Sequence, residues 1–286
     1  MEGQIIKIVS DLHIVNCKDK NYECKCRGKF RHNKIIPKVG DYVIFDPTKL
    51  VIEEIKTRKS DFQRPNVANI DQAFIITSLR LPDFSLNLLD KLLVLMELHN
   101  VEPIICITKR DLLTEDELKE IDKYLDYYKS IGYQVIYNTE LDKIKKLLKN
   151  KTSVFTGQTG AGKSTLLNKL CSELDLDTGE VSVALGRGRH TTRVVELFEM
   201  YNGKVLDTPG FSALDFYEFS NEQIKDAFIE FKDFPCLYKD CMHKNEEECK
   251  VKAAVSANNI IDSRYENYLK FIERKWYYAY FYIISE

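Results

Sequence analysis

Two hydrophobic rhythms divide this chain. In its first part apolar and polar positions alternate in short runs, at Gln4–Val9, Leu12–Cys17, Tyr22–Arg27, Asp41–Phe45 and Val51–Ile55. A period of two puts one face of a strand on a core. Five such strands with polar turns between them predict a small OB-type barrel. Further on, continuous apolar runs take over. Asp71–Thr77, Pro103–Ile107, Tyr133–Tyr137, Val154–Phe155 and Lys204–Leu206 read as strands, the second of them buried and parallel. Helical stripes separate them. Ser85–Asn100 places Leu86, Leu89, Leu93 and Met96 inward, Leu113–Ile131 follows the second run, and Thr165–Leu170 is amphipathic. The tail, Asp262–Ser285, is rich in Tyr and Phe and reads as helix, its aromatics chiefly core.

These rhythms predict a multidomain chain: an N-terminal β OB-type barrel over 1–65, a central α/β domain over 66–220 and an α-rich C-terminal domain over 221–286. Residues 58–72 look like the linker into the central domain. The overall charge of -2 points to no polyanion, but its distribution does. Residues 1–65 carry 14 Lys/Arg against 9 Asp/Glu, residues 66–220 carry 18 against 23, and residues 221–286 carry 10 against 12. A basic head on an acidic body suits an anionic partner for the barrel. Lys25, Arg27, Lys29, Arg31 and Lys34 cluster around the third strand, with Phe30 interleaved as a stacking platform for single-stranded RNA would be; a solvated basic hairpin is the plainer alternative. No apolar run approaches a membrane span. Eight cysteines behind an opening, Met1-Glu2-Gly3-Gln4, that does not read as a signal peptide imply a reducing cytoplasm. Cys17, Cys24 and Cys26 read as free thiols rather than a second metal site.

The chemistry concentrates in four places. Gly157-Gln158-Thr159-Gly160-Ala161-Gly162-Lys163-Ser164 matches the phosphate-binding pattern Gly-x4-Gly-Lys-Ser/Thr, between a strand and a helix as that pattern requires. Its glycines let successive N–H groups face an anion, and the helix N-terminus adds a favourable field. Lys163 would reach the β/γ-phosphates, and Ser164, followed by Thr165, would bind Mg2+. Thr108-Lys109-Arg110-Asp111 ends a buried strand and is similar to the Asn/Thr-Lys-x-Asp element that reads guanine. Asp111 would accept from the guanine N1–H and exocyclic amine; a buried Asp111 left unpaired against adenine costs about 1–3 kcal/mol. Asp207-Thr208-Pro209-Gly210 follows the last strand; Asp207 would hold Mg2+ through water and the Gly210 N–H would sense the γ-phosphate. Cys236-x4-Cys241-x-His243-x5-Cys249 offers three thiols and one imidazole, a closed tetrahedral set for one structural Zn2+.

The order of these motifs is unusual. The base-reading element precedes the phosphate loop, which precedes Asp207–Gly210, so the chain reads as a circularly permuted P-loop GTPase. With Gly186-Arg187-Gly188-Arg189-His190-Thr191-Thr192, the run continuing to Phe211 and the zinc ligands, the whole chain resembles the ribosome small-subunit-dependent GTPase A family. That resemblance implies a GTP/GDP-binding factor for maturation of the small ribosomal subunit. It implies slow GTP hydrolysis stimulated by the subunit, rRNA binding, and help in releasing another maturation factor. A monomer is expected.

Phe211 stands where many GTPases carry a water-orienting Gln, so unassisted turnover should be slow. His190 is the candidate for that role, in a basic loop whose Thr191 or Thr192 would close on Mg2+. His190 contacting rRNA instead is the alternative. Two other classes compete: an ATP-dependent kinase or ATPase on the same phosphate loop, and an RNA-binding scaffold in which nucleotide is structural. A permuted GTPase of the large subunit fits less well, given the barrel and the zinc ligands.

Overall fold

The computed structural model describes residues 1–18, 20–28, 30, 35–63, 65–172, 195–207 and 215–283, with Asp207 and residues 274–283 described as backbone. Five strands, β1 (Glu2–Val9), β2 (Leu12–Cys17), β3 (Lys20–Cys26), β4 (Tyr42–Asp46) and β5 (Val51–Ile55), form the barrel the alternation predicts. It closes because β1 pairs with both β2 and β4, while β3 runs parallel to β5. Ile5, Val15, Cys24, Val43, Phe45 and Ile52 fill its interior. Phe30 joins that core at 4% exposure, so it is no stacking platform: an aromatic that can reach the barrel core gains more by burial there than by facing water. Cys17, Cys24 and Cys26 form no disulfide among the described residues, and the Cys26 sulfur lies 3.9 Å from the His13 ring nitrogens.

Residues 58–72 are not a loose linker. They form the short pair β6 (Asp61–Phe62) and β7 (Val67–Ala68) and bury Phe62, Val67, Ala68 and Ile70. Arg58 donates to the buried Asp41 at 2.7 and 2.9 Å, and Lys38 donates to Phe62 O at 2.7 Å. Strands of two residues leave no readable period, which hid this packing from the sequence.

The α/β domain follows as β8 (Gln72–Ser78), α1 (Leu86–Leu98), β9 (Glu102–Thr108), α2 (Glu115–Ser130), β10 (Gln134–Tyr137), α3 (Leu141–Leu148), β11 (Thr152–Gly157), α4 (Lys163–Ser172), β12 (Glu196–Met200) and β13 (Gly203–Asp207). Ser85 caps α1, and Thr114 with Glu117 forms a capping box on α2. The strand order is β10-β9-β8-β11-β13-β12, parallel except for the β12–β13 hairpin. The chain runs outward from β8 to one side and from β11 to the other. The β8/β11 boundary is therefore the topological switch point, where open α/β sheets bind ligands beyond the carboxyl ends of their strands. β12 also pairs with β1, fusing barrel and domain into one eleven-stranded sheet among the described residues. Lys7 bridges to Glu196 at 2.7 Å, and Lys204 donates to Gln4 at 2.6 Å across that seam.

The C-terminal part comprises α5 (Asn221–Asp226), a 3₁₀ turn (Ile229–Asp233), α6 (Lys250–Ser256) and α7 (Asp262–Ile283). α7 lies on α1, and Tyr268, Phe271 and Ile272 enter the core that continues under the sheet. At this contact Arg264 is wholly buried. It donates to Glu230 at 2.7 Å and to Asp90 of α1 at 2.8 Å; Asp90 also accepts from Tyr128 and Asn267. No helix of the described residues is long and apolar enough to cross a membrane.

Candidate nucleotide and metal sites

The phosphate loop leaves the carboxyl end of β11 at the switch point. Gly157 has φ +134°, and a Cβ there would lie 2.2 Å from Ile76 O of the neighbouring strand, so no other residue fits. Gly160 and Gly162 also adopt positive φ, which wraps the loop around the start of α4. Lys163 donates from Nζ to Gly157 O at 2.6 Å and Gln158 O at 2.9 Å. Burial lowers its amine below the ordinary lysine value.

The base-reading element, distant in sequence, sits against this loop. Thr108 ends β9 and donates from its hydroxyl to Ala161 O at 2.6 Å. Lys109, in the left-handed region at φ +57°, donates to Gly160 O at 2.8 Å and to Leu81 O. Thr108 therefore does for the loop what a short polar side chain can do, and its methyl lies 3.8 Å from where a Cβ on Gly162 would stand. Arg110 is engaged elsewhere, with two hydrogen bonds to Asp122 at 2.7 and 2.8 Å and its guanidinium over Tyr137. Asp111 is exposed at the edge of the cleft rather than buried, because the 3₁₀ turn Arg110–Leu112 projects from the strand end. Sequence reasoning missed the third wall, the β8–α1 connection at Leu81-Pro82. Its signal was a Leu-Pro pair three residues past the end of a buried strand, at the same sheet edge as the two motifs.

Gly160, Ala161 and Gly162 thus meet Thr108 and Lys109, while Gly157, Gln158, Thr159, Lys163, Ser164 and Thr165 continue the same strand–loop–helix segment. Asp207 ends β13 on the adjoining strand. His190, Thr191, Thr192 and Gly210 lie outside the described residues, as do Lys29, Arg31 and Lys34 of the basic cluster. Lys25 and Arg27 are exposed on the barrel, paired with Asp11 at 3.4 Å and Glu53 at 2.6 Å.

The second site is the predicted cysteine–histidine set. The ligand atoms of Cys236, Cys241, His243 and Cys249 all lie within 4.8 Å of one another. His243 Nδ1 stands 3.5, 3.4 and 3.3 Å from the sulfurs of Cys236, Cys241 and Cys249, and Cys236 lies 3.7 Å from Cys249. A tetrahedron of S and N ligands around zinc has edges of about 3.5–3.8 Å, so donor set and spacing both fit. Against its burial, the N–H groups of Lys250 and Val251 hold the Cys236 thiol below its ordinary value. Burial, with Lys225 nearby, keeps the His243 imidazole low and therefore neutral. Tyr265 and Tyr268 of α7 donate to His243 O and Met242 O, tying this loop to the helix.

The RsgA N-terminal domain family matches residues 2–50 and the RsgA GTPase family residues 55–217. The chain is 46% identical to "Small ribosomal subunit biogenesis GTPase RsgA 2" of Oceanobacillus iheyensis, over 95% of this chain and 96% of the relative. It is likewise 46% identical to the protein of that name from Listeria monocytogenes, over 96% and 97%. Among solved structures, YloQ, "a circularly permuted GTPase", superposes with TM-score 0.80 at 37% identity, covering 96% of this chain and 94% of that one. YjeQ from Thermotoga maritima gives 0.83 at 34%, over 96% and 98%.

Proposed function

Because the chain belongs to the RsgA family of circularly permuted GTPases, we propose that it hydrolyses GTP during maturation of the small ribosomal subunit. The observation that supports this reading is the contact between Thr108 and Lys109 and the phosphate loop, which brings two motifs in permuted order against each other. Asp111 reads the guanine edge, and the loop N–H groups with Lys163 take the phosphates. Lys163 exchanges its two carbonyl partners for phosphate oxygens. Ser164 and Asp207, with Thr191 or Thr192, would hold Mg2+, which neutralises phosphate charge when bound. Arg110 supports this site by bracing the Asp111 turn on α2. His190 orients the attacking water; Phe211 cannot.

In this reading residues 1–65 form an RNA-binding barrel, residues 66–220 the GTPase domain and residues 221–286 a domain held by one structural Zn2+. The relatives' names supply the small ribosomal subunit as partner. The exposed Lys25 and Arg27 favour its rRNA over its proteins. The protein acts as a cytoplasmic monomer, turns over slowly alone and faster on the subunit, and helps displace another maturation factor.

The test is GTP turnover by the purified chain with and without small subunits, with ATP as the control nucleotide. Stimulation confined to GTP supports the reading; turnover indifferent to the subunit refutes it. Asp111→Ala should erase the preference for GTP over ATP in binding. His190→Ala should lose stimulated turnover while keeping GTP affinity, and unchanged stimulation would remove His190 from catalysis.

A further inference from the structure

The turn that carries Asp111 has little of its own to hold it. None of Arg110, Asp111 and Leu112 is buried. Its two backbone hydrogen bonds, Leu112 N to Lys109 O and Leu113 N to Arg110 O, are 3.2 and 3.3 Å long. Reading a base edge asks for more than that. A carboxylate that accepts two hydrogen bonds side by side must stand within about 0.5 Å of its productive place. Arg110 supplies one hold, through Asp122 on α2.

A second hold comes from Arg80, just past the carboxyl end of β8. Its backbone is fixed before its side chain reaches out: Leu79 N donates to Thr108 O at 3.2 Å, and Ser78 Oγ donates to Arg80 O at 2.7 Å. One guanidinium nitrogen donates to Leu112 O at 3.1 Å, and the other pairs with Glu117 of α2. Glu117 is fixed in turn, since its carboxylate also accepts from Thr114 N at 2.9 Å and Thr114 Oγ1 at 3.0 Å. The next residue holds the near side of the same turn, where Lys109 Nζ donates to Leu81 O. Consecutive residues of the β8–α1 connection therefore grip the chain on both sides of Asp111. A guanidinium suits this place, because its forked N–H groups meet a carbonyl and a carboxylate at once.

We propose that Arg80 is a positioning residue for guanine recognition: it fixes Leu112 so that Asp111 meets the N1–H and the exocyclic amine together. This rests on the reading of Thr108–Asp111 given above and adds the side chain that sets its geometry. Arg80 acts through Asp111 and not on the nucleotide itself. A partly exposed ion pair such as Arg80–Glu117 contributes little to folding. Its loss therefore falls on the turn rather than on the stability of the chain.

The test compares GDP with inosine diphosphate, whose base lacks the exocyclic amine. Fluorescence titration of the full chain should show the wild type preferring GDP. Arg80→Ala should cut that preference roughly fivefold, what one lost hydrogen bond is worth, with the melting temperature unchanged. In an Asp111→Ala background the same change should alter the preference no further, since the group it acts through is gone. Glu117→Gln keeps the capping box, which Gln also satisfies, and loosens only the hold on Arg80, so it should give part of the loss. In GTP hydrolysis the Arg80→Ala loss should appear in KM rather than kcat. An unchanged preference in Arg80→Ala overturns the inference, as does an equal fall with and without Asp111, or a loss confined to kcat. A wild type that binds ADP as tightly as GDP would instead overturn the guanine reading itself.

Discussion

Arg264→Met isolates what holds the C-terminal part to the GTPase domain. Arg264, Asp90 and Glu230 are all essentially without solvent exposure. The guanidinium makes bonds of 2.7 and 3.3 Å to Glu230 and 2.8 Å to Asp90, and lies 4.5 Å from the Phe228 ring centre. Burial alone would lower Arg264, but Glu230 and Asp90 hold it charged; burial pushes Asp90 up against the pull of Arg264, Asn267 and Tyr128. Methionine matches the stem in bulk yet leaves two buried carboxyl groups with no cation. Breaking a buried pair in this way costs about 3–5 kcal/mol. With unfolding entropy of about 2.1 cal/mol/K per residue, a chain of 286 residues loses roughly 1.7 °C per kcal/mol, hence about 5–8 °C. Circular dichroism melts read this directly. The sign with pH is also set. Asp90 is already held up by burial, and losing the Arg264 pull raises it further in the folded state, so the variant is stabilised by protonation and its deficit should shrink from pH 8 towards pH 5. Adding Asp90→Asn and Glu230→Gln should recover much of the loss. A single-variant loss below about 1 kcal/mol, or a deficit that grows in acid, would refute the argument.

Gly157→Ala should weaken binding of a fluorescent GTP analogue at least tenfold, because a Cβ at φ +134° meets Ile76 O at 2.2 Å; unaltered affinity would mean the loop has another conformation. Cys241→Ser should lower both the zinc the chain binds when supplied with it and the melting temperature, read by elemental analysis and calorimetry. His99 lies buried between Phe62 and Phe219, and burial brings its imidazole down to about 4. A folded value below the unfolded one makes stability full above about pH 6.5 and lost as pH falls towards 4, by roughly 3 kcal/mol. Urea melts at pH 7.5 and 4.5 should show a smaller acid loss in His99→Phe than in the wild type.

By itself the sequence determined most of the elements and the residue types on which the proposed chemistry rests. Alternation over residues 4–55 marked each barrel strand, because a half-buried strand must repeat with period two. Continuous apolar runs marked β8, β9 and β11, which are buried on both faces. Residues 157–164 and the cysteine–histidine set were legible because their chemistry depends on residue type at short spacing. The tertiary structure decided how distant pieces meet. Thr108 and Ala161 lie 53 residues apart, and the strand order alone places them 2.6 Å from each other. The β12–β1 seam, the packed segment 58–72 and the burial of Arg264 left no local signal. Each depends on which surface arrives opposite, a matter of topology and long-range burial. Phe30 shows the same limit: pattern could say that an aromatic sits among basic residues, and only the closed barrel decides which way it packs.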